Sequence, residues 1–152
     1  MPTSDAWRNE TVVDANVVAA KLRELDDRIG RVREHLPADA SRLAADRDAL
    51  DLVSFNLMLA VQVCLDIASH LIADEAWPPA ASLGEAFQCL GEHGVITPAT
   101  AAALRRAAGL RNVVAHGYAE AHPDLLYRAA SDGLTDLQRF ASEVSSWVPR
   151  RS

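Results

Sequence analysis

The chain has 152 residues, 49% of them hydrophobic but only 5% aromatic, with a formal net charge of −6 at pH 7. That length suits one domain with a core of its own, and the Ala- and Leu-rich, aromatic-poor mix favours helices packed on aliphatic ridges over a sheet. The acidic balance excludes loose, sequence-independent coating of nucleic acid, yet it leaves room for an enzyme that engages a few phosphates through a local cluster.

Five helical segments and no strand are predicted, forming a single all-α domain over residues 1–152. The first runs roughly from Asp14 to His35, with Val17, Val18, Leu22, Leu25 and Ile29 at spacings of three and four. Pro37 closes it. The second starts near Ser41 and continues to about Asp74, where Trp77-Pro78-Pro79 stops it. Ser82, with Glu85 three residues on, makes a capping box for a short third helix that ends at Gly91 or Gly94. Thr97-Pro98 is an N-cap followed by proline at the first helical position, so the fourth begins there, with Gly117 as its stop. Pro123 opens the fifth, which carries Leu126, Leu134, Leu137, Phe140, Val144 and Trp147. Residues 1–10 and 149–152 are expected to be loose. No basic region followed by an apolar run opens the chain, so a secretory signal is not expected. Cys64 and Cys89 lie in apolar helical sequence and are read as reduced core residues of a cytosolic protein.

The second helix carries more apolar surface than one side of a small bundle needs. One stripe holds Leu50, Val53, Leu57, Val61, Cys64, Ala68 and Leu71; another holds Leu52, Phe55, Leu59, Val63 and Ile67. A membrane span is possible by length, but Asn56, Gln62, Asp66 and His70 interrupt it at heavy cost in lipid. A homodimer interface is the better account, and no membrane partner is expected.

Chemistry concentrates at the end of the fourth helix, in Arg111-Asn112-Val113-Val114-Ala115-His116-Gly117-Tyr118. At 100° per residue, Asn112 and His116 share a face, and Arg111 lies about 140° round from His116. Ala103, Ala107, Leu110 and Val114 are expected to face the core, leaving the polar trio displayed outward. Arg111 and His116 of one chain diverge, so two such helices across a twofold axis would gather two of each around one cleft. A neutral His116 can take a 2′-hydroxyl proton, and a second copy's His116 can protonate the leaving 5′-oxygen. Arg111 would neutralise charge on the phosphorane, and Asn112 would orient an imidazole or a phosphate oxygen.

The arginine, four residues, histidine, one residue and tyrosine resemble the Arg-x4-His-x-Tyr signature of HepT-type HEPN toxins. Asn directly after the Arg, Gly directly after the His, the helix order and Asp66-Ile67-Ala68-Ser69-His70 are similar as well. The resemblance implies a dimeric HEPN-like bundle that acts as a ribonuclease toxin, with tRNA as substrate and a nucleotidyltransferase (MNT-type) antitoxin as partner. It also implies that Tyr118 receives AMP from that partner, adding bulk and negative charge beside His116. No cofactor is expected, and His35, His70, His93 and His122 show no metal-ligand spacing with cysteines or acids. Arg105 and Arg106 are candidate contacts to the RNA backbone. Asp66, on a polar ridge with Gln62 and His70, wants a partner, for which Arg111 and a hydrogen bond across a dimer interface are equal candidates. The alternative reading is a HEPN module without nuclease activity that binds a nucleotidyltransferase.

Overall fold

A computed structural model describes residues 5–115 and 122–151, and every regular element among them is helical. The helices are α1 (Asp5–His35), α2 (Ala40–Ala45), α3 (Arg47–Asp74), α4 (Leu83–Glu92), α5 (Pro98–Ala115) and α6 (Pro123–Trp147), followed by a 3-10 turn, Val148–Arg151. The all-helical class is as expected, with two differences in the elements. Helix α1 starts at Asp5, ahead of the Asp14 start that periodicity suggests, because residues 5–13 lack an apolar stripe but contain no Gly or Pro to stop a helix.

The second difference is a break in the predicted second helix at Asp46. Its backbone is extended (φ −110°, ψ 100°), and its carboxylate accepts a hydrogen bond from the Ala49 N–H at 3.1 Å. The same residue's N–H bonds back to the carbonyls of Arg42 and Leu43, so one aspartate ends α2 and starts α3. Hydrophobic spacing runs through this junction and does not register it.

Helix α3 lies at the centre and touches every other helix. Its first stripe, from Leu50 to Leu71, is buried throughout. The second stripe divides: Val63 and Ile67 are buried, Leu52 and Leu59 are half-buried, and Phe55 is 52% exposed. By length and composition α3 could cross a bilayer, yet 14 of its 28 residues are buried inside the bundle. Helix α1 runs antiparallel to it. Arg28 Nη1 donates to Asn56 Oδ1 at 3.1 Å, and Asn56, only 2% exposed, donates from Nδ2 to the Leu52 carbonyl at 2.8 Å. Both ends of this buried amide are therefore satisfied. On the opposite side, Phe87 of α4 meets Phe140 of α6 edge-on, with centroids 5.9 Å apart.

Helix α6 ties the ends of the bundle together. The Tyr127 hydroxyl donates to the Ala38 carbonyl at 2.8 Å, in the α1–α2 link. Glu143 Oε1 accepts from the Thr97 N–H at 2.9 Å, at the start of α5, where Thr97 Oγ1 accepts from the Thr100 N–H. Helices α3 and α4 end in the same way, with a left-handed residue followed by a backbone bond five residues back. For α4 the residue is Gly94 (φ +73°), followed by Val95 N–H to the Leu90 carbonyl at 2.9 Å. For α3 it is Ala76 (φ +56°), followed by Trp77 N–H to the Ile72 carbonyl at 3.0 Å. A β-carbon is strained there. Ala76→Gly should therefore stabilise the fold by about 1 kcal/mol, raising Tm by roughly 2–4 °C in a thermal melt; a lower Tm would contradict the strain.

Burial pushes the Cys64 thiol well above its ordinary range. Above pH 9, the ordinary value, an unfolded thiol loses its proton while the folded one keeps it, so stability falls as pH rises. The contribution is up to about 1.4 kcal/mol per pH unit. Denaturation midpoints taken above that pH should fall less steeply for Cys64→Ala than for the parent, whatever the offset between them. Equal slopes would mean that Cys64 does not contribute.

Candidate functional site

Helix α5 presents its buried side through Thr100, Ala101, Ala103, Leu104 and Ala108. Arg111 stands three residues past Ala108 and seven past Leu104, so it continues that inward stripe. It is half-buried, and its Nε is enclosed without a hydrogen-bond acceptor among the described residues. For Arg111 this corrects the expected outward display. Of Ala103, Ala107, Leu110 and Val114, only Ala103 is buried, and the other three are partly covered. Ala107, Leu110 and Val114 still pack against the core as expected, so α5 is covered on both stripes, and Arg111 ends the more deeply buried one.

Asn112 is exposed and shares a face with Arg105 and Gly109. All three line a cavity of about 660 Å³ between the C-terminal half of α3, the start of α4 and α5. Arg105 lies along the first turn of α4, where a β-carbon on Gly84 would sit 3.8 Å from its Nε. Arg106 points elsewhere. It borders a separate cavity of about 270 Å³ between α3, α5 and α6, together with Arg128 and Asp136. The two neighbouring arginines thus serve different surfaces, as their 100° offset requires. His116 and Tyr118 lie outside the described residues.

Asp66 is not brought to Arg111. Its Oδ1 accepts from Gln62 Nε2 at 3.0 Å, and its Oδ2 lies 3.6 Å from Lys21 Nζ of α1. The carboxylate belongs to the α1 side of α3, whereas α5 packs near Leu57, Val61 and Leu65. Cys89 is also displaced from its expected core position. It is half-buried, with Sγ 3.6 Å from His93 Nδ1, which in turn lies 2.9 Å from the Cys89 carbonyl oxygen. Partial burial first, and the charge of Glu92 second, push its thiol up, the reverse of an activated nucleophile. The four-residue spacing of Cys89, in α4, and His93, its C-cap, was the available signal for this contact.

Trp77 stacks on His93 with centroids 3.8 Å apart and planes 17° apart. It also lines the 660 Å³ cavity, a role that nothing in its local sequence marks. Ser82 Oγ accepts from the Glu85 N–H at 3.2 Å as the capping box predicts, but Glu85 Oε2 reaches back to the N–H of Ala81 rather than of Ser82. Among the described residues, no three His, Cys, Asp or Glu side chains converge as a metal-ligand set.

Comparison with known proteins gives this arrangement a family. Residues 25–144 match the HepT-like model, described as ribonuclease HepT-like, and the chain belongs to that family. The mRNA nuclease HepT of Shewanella oneidensis is 24% identical over 131 residues, covering 86% of this chain and 98% of that protein. The tRNA nuclease HepT of Aphanizomenon flos-aquae is 27% identical over 92 residues, 60% of this chain and 63% of that protein. In three dimensions, the chain is similar to a tri-AMPylated HEPN toxin of Shewanella oneidensis solved in complex with an MNT antitoxin. The TM-score is 0.78 at 25% identity, over 86% of this chain and 97% of that one. The helical bundle is the HEPN toxin fold.

The reassignment of Asp66 has a measurable consequence. Its pair with Lys21 is substantially exposed, so Asp66→Ala should cost less than about 1 kcal/mol in urea denaturation and leave helical content unchanged. A loss of several kcal/mol would instead place Asp66 in a buried network.

Proposed function

We propose that this chain is a metal-independent endoribonuclease and the toxin half of a toxin–antitoxin pair, active in the cytoplasm. Its antitoxin would be an MNT-type nucleotidyltransferase. The observation that carries the reading is the Arg111 guanidinium, half-buried on the inward stripe of α5 with no carboxylate within ion-pair distance among the described residues. A cation set this way, one residue before exposed Asn112 and five before His116, is suited to an anion supplied from outside the chain.

The chemistry needs two proton-transfer groups and a phosphate clamp. One His116 accepts the 2′-hydroxyl proton as the 2′-oxygen bonds to phosphorus. The bond from phosphorus to the 5′-oxygen breaks, and the leaving oxygen takes a proton from the His116 of a second copy. The products are a 2′,3′-cyclic phosphate and a free 5′-hydroxyl. Arg111 donates to the equatorial oxygens as charge accumulates, and Asn112 orients the phosphate or an imidazole. A second copy is called for because the motif's spacing, read at 100° per residue, sets Arg111 and His116 about 140° apart. The uncovered Phe55 edge of α3 supports such pairing. The relatives are named as an mRNA and a tRNA nuclease; tRNA is the target proposed here, from the family resemblance. Transfer of AMP to Tyr118 would switch the site off by placing bulk and negative charge beside His116.

Digestion of tRNA and mRNA by the purified chain tests this. Arg111→Ala and His116→Ala should each lower the cleavage rate by about 100-fold or more, with circular dichroism unchanged. EDTA should have no effect. Tyr118→Phe should cut RNA but resist inactivation by AMP transfer. Full activity in His116→Ala, or a strict Mg²⁺ requirement, would refute the mechanism.

A further inference from the structure

Gly109 stands inside α5, where glycine costs about 0.5–1 kcal/mol relative to alanine. Neither a turn nor a close helix contact calls for it: its backbone is helical, and a β-carbon built there meets nothing within 4 Å. The space such a side chain would enter is the 660 Å³ cavity beside Asn112. Arg105, Ala108, Gly109 and Asn112 face that cavity at the spacing of one helix side.

We propose that this cavity is a nucleotide subsite, holding one ribonucleotide of the RNA strand next to the scissile phosphate; the assignment rests on the endoribonuclease reading above. The volume lies within the range of small-molecule pockets, and the lining has their character: an apolar floor with a few polar groups at the rim. Leu65, Ile72 and Ala86 form the floor and are buried. A flat base fits such a slot. Trp77 forms part of the wall, and its indole is fixed in place by the stacked ring of His93.

The polar groups are distributed as a nucleotide requires. Ser69 and Asn112 are exposed at the rim and can pair with the edge of a base or a ribose hydroxyl. Arg105 has no carboxylate within ion-pair distance among the described residues, so its charge is available to a backbone phosphate. Arg105 and Asn112 are seven residues apart, roughly 10 Å along the helix axis, a separation suited to the two ends of a nucleotide rather than to one phosphate. Asn112 adjoins Arg111, so a strand whose phosphate sits on the Arg111 guanidinium has its neighbouring base at the mouth of this slot.

Titration of the full chain with the four ribonucleoside 3′-monophosphates, alongside RNA cleavage, tests the assignment. The parent chain should bind at least one of them, and that nucleotide should inhibit cleavage competitively. Gly109→Phe fills the slot from α5 and Ser69→Trp fills it from α3. Each should weaken nucleotide binding and lower kcat/KM by about tenfold or more without lowering Tm. Arg111→Ala should lose cleavage and bind the 3′-monophosphate more weakly, through the lost phosphate contact, while binding the unphosphorylated ribonucleoside like the parent. If both filled variants cleave RNA like the parent, or if the bound nucleotide inhibits non-competitively, the subsite is refuted and the endoribonuclease stands. If the parent binds nucleotide but cuts no RNA, the endoribonuclease reading falls, and the assignment to substrate falls with it.

Discussion

The need to cover α3 governs this molecule. A helix apolar over most of its circumference cannot stand in water, and every other helix packs on it. Its polar interruptions are resolved locally: Arg28 answers Asn56, while Lys21 and Gln62 answer Asp66. Because α5 must lie along α3, the register of that contact decides where each α5 side chain points. The site inherits its geometry from the core.

One result is an arginine where a leucine would continue the stripe. Its methylene stem can extend the apolar surface laid down by Leu104 and Ala108, in the manner of long cationic side chains. Enclosing Nε without an acceptor carries a cost of about 1–3 kcal/mol. Functional sites commonly hold strain or unsatisfied groups of this kind, with the rest of the fold supplying the stability that offsets them. Asn112, one residue later, bears no such cost because it opens onto the cavity. Two adjacent residues of the motif therefore play opposite parts, one enclosed and one presented.

Much of this was legible before the fold was known, for identifiable reasons. Ser82 with Glu85, Thr97-Pro98 and Pro123 are local chemical signals, and the helix starts they announce are where they should be. The Asp46 break was missed because apolar spacing continues through it and a lone aspartate is ordinary on a helix surface. The half-burial of Arg111 was missed because a charged residue beside an apolar stripe reads as solvent-facing, whereas contact with α3 and α4 also covers the stripe of Leu104 and Ala108 that ends in it. The partner of Asp66 and the separation of Arg106 from Arg105 depend on which helices lie alongside, information no single segment carries. The cavity draws on three helices and a loop, and only Gly109, an unexplained glycine in mid-helix, hinted at it.

The bond from the Thr97 N–H to Glu143 ties α5 at its first turn, while Arg111 rides near the other end. Eighteen residues make a rod of about 27 Å. A tilt of about 5° about that anchor would carry the far tip through roughly 2 Å. Substitutions around Glu143 would thereby have leverage over the position of Arg111 without touching it.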